Sequence, residues 1–510
     1  MTTAALPATQ PLITFNWKDG AWALAIFVLA AGQLLIGTDP YFTLLVVGFT
    51  ILWLMSVKLC GGIKTLTGIT VGYLGFQHLV CSQFAKLIFG QRPDTPLLQP
   101  ILTMEVYFVG ILATFLACLL AQLPCFTKIR PILPAQITAD RLRVIAYLSV
   151  ALMILRYMGS PQLGVGGIRF LMNFDFITPM AAASVTAYQM LKTEGKKFIH
   201  PLTYFCVGVP FLIAIIGFQR KEAIYSIVII FAVAVAYGFR FKAVHFLAGI
   251  GLLYFFQFVF FPFALYYRSE LKRTNDLARN LSMAWEALGD VIANPMEYQK
   301  EEKFRPTSYD ATRLLYYDQR PSPTLDRLTT VIITDALVHV GKMQGTYGWK
   351  TIAYGFDMVV PRIFNEDKPI LGTSNLIARM APGMVGPEDY GTQITMGYFG
   401  EGYLSFRMAG VFGISFVTMF VFLVLSRIMF GDAFRNNLWV CAWVVTVPWT
   451  VSESPVQLII IMVFQAMPLF VALGLLFLML ANSMSRTPDP DRDTLPEKPV
   501  FEEEGLRMAG

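Results

Sequence analysis

Apolar stretches long enough to cross a bilayer recur along most of this chain, and they leave few folds open to it. A membrane-spanning helix needs roughly 20 apolar residues, within a range of about 17–25. Twelve segments meet or approach this length: 21–37, 40–57, 67–88, 102–122, 143–158, 170–191, 202–217, 223–239, 243–266, 409–429, 437–452 and 456–481. Gln77, His78 and Lys86 interrupt the third, and the eleventh is short. Hydrocarbon cannot satisfy an open backbone, so such segments span as helices. The expected fold class is all-α and polytopic, with about 12 transmembrane helices. Only 15% of the residues are charged, against about 25% in soluble domains, which excludes a string of soluble domains.

The spans divide the chain. Residues 1–20 form an N-terminal segment, and no small-residue cleavage site follows 21–37, so that run reads as a retained first span. Transmembrane helices 1–9 occupy 21–266, a long polar interval 267–408, and helices 10–12 fill 409–481. The tail, 482–510, is rich in Pro and acid and reads as disordered. With the N-terminus in the cytoplasm, short cytoplasmic loops and adjoining span ends hold thirteen Lys/Arg, and short exoplasmic ones hold five: Arg92, Arg156, Arg169, Arg220 and Lys221. That bias supports the orientation and places 267–408 outside.

The interval 267–408 carries sixteen Lys/Arg and seventeen Asp/Glu. Such balance favours an ion-paired subdomain over an anion sponge. Helical patterns occur in SMAWEALGDVIA and TLDRLTTVIITDALVHVGKM, where apolar residues recur at i, i+3, i+4. From Gly341 to Gly410 the chain is rich in Gly and Pro and reads as loop.

Several function classes drop out. Net charge is +6, but no basic stripe is interleaved with aromatics, so nucleic acid is not an expected partner. Six cysteines lack C-x-x-C spacing and four histidines are scattered, which argues against a disulfide framework or a metal centre. GVGG, at 164–167, lacks the context of a nucleotide loop.

Four places carry candidate chemistry. In VPRIFNEDKP, prolines 361 and 369 stiffen the chain around Arg362 and Lys368. A guanidinium fork and a point charge suit phosphate, although both cations could instead pair with Glu366 and Asp367. In FQRKEA, Arg220, Lys221 and Glu222 sit at a turn between spans, where charges are costly and often functional; snorkelling to headgroups is the plainer reading. In TMGYFGEGYLSFRMAG, Glu401 lies among glycines beside Tyr398 and Tyr403. It could serve as a general base or merely pair with Arg407. Asp335 and His339, at i and i+4, form an acid/base pair or a structural hydrogen bond.

The order of these features resembles that of the O-antigen and exopolysaccharide repeat-unit polymerases of the Wzy type. Shared are an Arg turn (FQRKEA), a basic span end (GFRFK), then LDRL, GTYGW, a Pro-Arg…Lys-Pro segment and a Gly-Glu-x-Tyr…Gly stretch before a late span. The likeness covers roughly 200–415. It implies a multi-span glycosyltransferase of the bacterial inner membrane, with its large loop in the periplasm. Such an enzyme transfers a glycan from undecaprenyl pyrophosphate onto the next lipid-linked repeat unit and needs no metal or nucleotide. It further implies the lipid bilayer and a chain-length-regulating membrane protein as partners.

By that resemblance Arg220, Arg362 and Lys368 hold the pyrophosphates, with Lys221, Arg327 and Arg169 as further contacts. Glu401 activates the acceptor hydroxyl, with Asp335 or His339 as the alternative base. Tyr347, Trp349, Tyr398 and Tyr403 stack on sugars. A lipid-linked oligosaccharide flippase is the rival from another class, although the chain shows no repeat between its halves of the kind many transporters carry. An O-antigen ligase would differ only in its acceptor.

Overall fold

The computed structural model describes residues 17–158, 174–217, 220–261, 263, 277–294, 316–317, 329–360, 375, 377 and 396–484, with backbone alone at 17–19, 216–217, 220–221 and 277–280. Among them all regular structure is helical. The first helices are α1 (Trp17–Leu35), α2 (Pro40–Leu59), α3 (Leu66–Gly75), α4 (Cys81–Ile88), α5 (Pro100–Ala121) and the single turn α6 (Pro124–Thr127). Next come α7 (Ala139–Met158), α8 (Ile177–Lys192), α9 (Pro201–Gly217), α10 (Arg220–Ala236), α11 (Ala243–Phe255) and α12 (Leu277–Ala293). The last are α13 (Val331–Gln344), α14 (Lys350–Val359), α15 (Tyr398–Phe430), α16 (Leu438–Trp443), α17 (Thr446–Glu453), α18 (Val456–Ile461) and α19 (Met467–Met484). π turns join α3 to α4 and α18 to α19, and extend α11 to Phe260.

Among the described residues five helices are long and apolar enough to cross a membrane: Pro40–Leu59, Pro100–Ala121, Ala243–Phe260, Tyr398–Phe430 and Val456–Met484. Three more apolar helices, Gly20–Leu35, Pro201–Ile215 and Glu222–Ala236, are shorter. The chain is therefore an all-α protein of multi-pass membrane character. Local sequence explains several helix starts. Asp39 accepts the Phe42 N–H at 2.9 Å ahead of Pro40 in the first position of α2, and Thr65 caps α3 through the Gly68 N–H.

The weak third segment is realised as α3, a π turn and α4, and its polar residues face inward. Gln77 donates to Glu453 Oε1 at 2.5 Å, His78 Nε2 meets the Ser452 carbonyl at 2.7 Å, and Lys86 lies 5.0 Å from the Tyr316 ring centre. All three side chains are buried. They interrupt the apolar run because they contact α17 and the 316–317 segment rather than lipid.

The described parts of 267–408 do not stand apart from the bundle. Helix α13 packs on α5 and α15, and α14 packs on α18 through Gly355, where an added Cβ would lie 2.8 Å from Ile460. The loop expected from Gly341 to Gly410 holds helix at Lys350–Val359 and again from Tyr398. Gly355, Gly402 and Gly410 there allow helices to approach closely, while Gly345 and Gly397 flank helices at positive φ.

The central element is α15, which is two helices joined at a sharp turn. Phe406 (φ −143°, ψ 29°) and Arg407 (φ 57°, ψ −145°) are non-helical. In one continuous helix Gly402 and Gly410 would sit about 12 Å apart along the axis. Here their backbones touch: a Cβ on Gly410 would strike the Gly402 carbonyl, and one on Gly402 would lie 2.9 Å from Val411 Cα. Thus Tyr398–Ser405 is a short helix, buried at every residue, that folds back on the long helix following it.

Gly410→Ala should cost about 1–3 kcal/mol through forced separation of this hairpin, read as a lower Tm in detergent. Gly413→Ala, where a Cβ meets nothing within 4 Å, should leave Tm unchanged or slightly raised; equal losses would contradict the fold-back.

Candidate functional site

A buried short helix must find partners for its end groups away from water. Its C-terminal carbonyls, Leu404 and Ser405, accept the Tyr347 and Gly348 N–H groups at 3.0 and 3.1 Å. These donors belong to the GTYGW stretch. At the N-terminal side Met396 donates to the Glu453 carbonyl at 3.1 Å. Gly397 takes φ +66°, and a Cβ there would collide with the His78 ring, so glycine is required.

Glu401 lies in the middle of this helix, with no exposed surface. Its Oε2 accepts the Val456 N–H at 2.7 Å and so satisfies the first donor of α18. Its Oε1 has no hydrogen-bond partner among the described residues, although Thr351 is near. Thr351 and Ser405 pair with each other at 3.2 Å. Glu401 does not pair with Arg407, the plainer expectation for it. Arg407 instead donates to the Tyr403 hydroxyl at 3.2 Å and lies over that ring at 5.3 Å.

Two features of Arg407 stand out. A non-glycine residue at φ 57°, ψ −145° costs about 1–3 kcal/mol in backbone strain, a cost often found at ligand sites. Moreover, the half-buried guanidinium has no carboxylate within ion-pair distance among the described residues.

Beside the hairpin runs an apolar groove of about 610 Å³ between α14, the long arm of α15 and the α18 segment. Its walls include Trp349, Phe406, Val417, Val456 and Phe464. Trp349 and Phe406 meet edge to face at 4.9 Å. Lining residues from Ala409 to Val421 correspond to about 18 Å of helix at 1.5 Å per residue. Glu401, itself not a lining residue, holds the N–H of the wall residue Val456, and Arg407 follows the wall residue Phe406 in sequence.

A second polar cluster fixes the start of α10. Arg156, on α7, is fully buried and reaches Glu222 at 3.2 and 3.3 Å, Asp175 at 3.0 Å and Thr178 at 2.9 Å. Tyr157 donates to Glu222 at 2.5 Å. This clasp holds the first turn of α10, whose backbone begins at Arg220 and Lys221. Tyr225, one turn on, packs edge to face on Trp449 of α17 at 5.5 Å and lies within electrostatic reach of Asp175, Glu222 and Glu453. The start of α10 and the Glu401 hairpin therefore both adjoin α17, through Trp449 and Glu453.

The other expected site residues fall variously. Asp335 is a remote helix cap: its oxygens accept the Leu98 and Gln99 N–H groups at 2.6 and 2.8 Å and the Thr103 hydroxyl at 2.8 Å. These are donors at the start of α5. Burial pushes the Asp335 carboxyl above its usual range, and the three donors pull it back. His339 faces Gln99 at 3.4 Å rather than Asp335, so the expected i, i+4 pair is not formed. Tyr398 is packed among His78 and Phe399, with ring centres 6.3 and 4.9 Å away, and has no face left for a sugar. Tyr403 is likewise covered by Arg407 and by α13 at Gly341. Trp349 is 69% exposed and Tyr347 half-buried, so both can meet a ligand. Arg169, Arg327, Arg362 and Lys368 lie outside the described residues, as do the side chains of Arg220 and Lys221.

Arg156 and Arg407 escaped sequence reasoning as site elements. Arg156 counted only as a charge at a span end, although a cation in an apolar helix beside an acid-bearing turn signals a buried pair. Against known proteins, the chain matches no family model, no curated protein and no solved structure.

Asp335→Ala should cost about 1–2 kcal/mol, the value of a lost helix cap, while His339→Ala should stay within about 0.5 kcal/mol of the native protein. Thermal unfolding of both variants checks the assignment, and a larger loss in His339→Ala would contradict it.

Proposed function

We propose that this protein is a membrane glycosyltransferase that polymerises lipid-linked oligosaccharide repeat units. In this reading it has about 12 spans, lies in the bacterial inner membrane and turns 267–408 to the periplasm. The observation that carries the proposal is Glu401: a buried carboxylate with one oxygen unpartnered among the described residues and the other held by Val456, a wall residue of an apolar groove. A soluble substrate gains nothing from such a groove, whereas a lipid-linked one does. The order of motifs that resembles the repeat-unit polymerases adds the chemistry.

The acceptor sugar hydroxyl attacks the anomeric carbon of the donor glycan. As that C–O bond forms, the hydroxyl proton passes to Glu401 and the bond to diphosphate breaks. The diphosphate leaves with the electron pair, and its growing negative charge is offset by fixed cations. Arg220, Lys221, Arg362 and Lys368 fill that role. Arg220 and Lys221 begin a helix, and helix N-termini favour anions. Cations placed there oppose the dipole unless an anion joins them, and the Arg156–Glu222 clasp holds the turn in position. Trp349 and Tyr347 supply surfaces for the sugars.

Glu401→Gln preserves shape and removes the base. It should insert normally and reduce polymer formation from purified lipid-linked repeat units by about 10²-fold or more. Arg362→Ala and Arg220→Ala should do likewise, with single repeats still displayed on cells. Full-length polymer from Glu401→Gln would overturn the base assignment, and loss of all display in cells lacking the protein would point to a flippase or ligase instead.

A further inference from the structure

We infer that the apolar groove and Arg407 together form a binding site for one phosphate-headed membrane lipid, its chain along the groove and its phosphate on the guanidinium. Three independent features converge. First, the groove runs about 18 Å by helix rise and is apolar along its length, with Thr418 the one hydroxyl-bearing residue among its lining. Two of its three walls, on Tyr398–Phe430 and Val456–Met484, belong to helices long and apolar enough to cross a membrane, and an acyl or prenyl chain matches such a lining. Second, Arg407 follows Phe406, a wall residue at one end, and precedes Ala409, another. Arg407 is not itself a lining residue, so its backbone stands at that end of the groove and not along its wall. Third, the guanidinium is oriented by the Tyr403 ring and hydroxyl, and no carboxylate among the described residues neutralises it.

A half-buried, oriented guanidinium without a counter-ion is an anion receptor, and strain at its backbone shows that the turn holds arginine where glycine would sit more easily. Charge complementarity selects the head, and the groove selects the tail. Identifying the occupant with the carrier lipid of the repeat units rests on the proposed function, but the binding site does not.

The test is binding of farnesyl diphosphate to the full-length protein in detergent, read by native mass spectrometry, with inorganic diphosphate and farnesol as separate probes. Farnesyl diphosphate should bind at least tenfold more tightly than either fragment. Arg407→Gly, which relieves the strained turn, should keep or raise Tm and yet weaken binding at least tenfold. Val417→Trp, filling the groove from an exposed position, should weaken it similarly. Binding unchanged in both variants, or inorganic diphosphate binding as well as the prenylated form, would overturn the site. Polymer synthesis assayed alongside separates the two readings. Lipid binding without polymerisation refutes the proposed function and keeps the site; polymerisation with no binding at the groove refutes the site and keeps the function.

Discussion

Everything near the candidate site depends on one constraint: a short helix buried in a protein of membrane type must have its polar ends satisfied by other chain segments. Tyr398–Ser405 meets it at its C-terminal end with donors from the GTYGW stretch, while Met396, just before the helix, donates to the Glu453 carbonyl on α17. The close contact of Gly402 with Gly410 lets the helix fold back at all. Once it is folded back, Glu401 has only one place to go, against the first turn of α18. The carboxylate thus serves twice, as a cap that ties the hairpin to the late helices and as the reactive group proposed above. One oxygen is fixed on Val456, and the other has no hydrogen-bond partner among the described residues.

Polar residues that interrupt apolar runs share a logic. Gln77, His78, Glu453, Arg156 and Glu222 all bind one another or backbone carbonyls inside the bundle. Removing one partner of a buried charged pair costs far more than the pair itself contributes, so such contacts fix register more than they add stability. Here they fix where α10 begins and where α17 ends. These are the elements that bring the FQRKEA turn and the Glu401 hairpin to a common neighbourhood.

Much of this architecture was legible from hydrophobic length. The apolar runs at 40–57, 102–122, 243–266, 409–429 and 456–481 correspond to the five long apolar helices. The inferred boundary at 408 falls one residue after the kink at Arg407. Glu401 was legible as chemistry because a lone acid among glycines and tyrosines is unusual. The hairpin was not legible, because a glycine that permits backbone contact eight residues away looks the same as one that permits a loop. Asp335 misled for a related reason: i, i+4 spacing put His339 on its face, while its real partners start a helix more than two hundred residues earlier. Such long-range capping leaves no local trace. Arg407 was hidden because an arginine one or two turns after an acid reads as its ion-pair partner, whereas the structure pairs Arg407 with Tyr403 and Glu401 with Val456.

The central claim is that the hairpin presents Glu401 and Arg407 at the head of a lipid groove. Cryo-electron microscopy of the protein in lipid nanodiscs with undecaprenyl pyrophosphate tests it most directly. The account predicts chain density along the groove from Val417 toward Trp349, with the diphosphate beside Arg407 and the Glu401 helix. Lipid density confined to another face, with the groove closed by side chains, would contradict it.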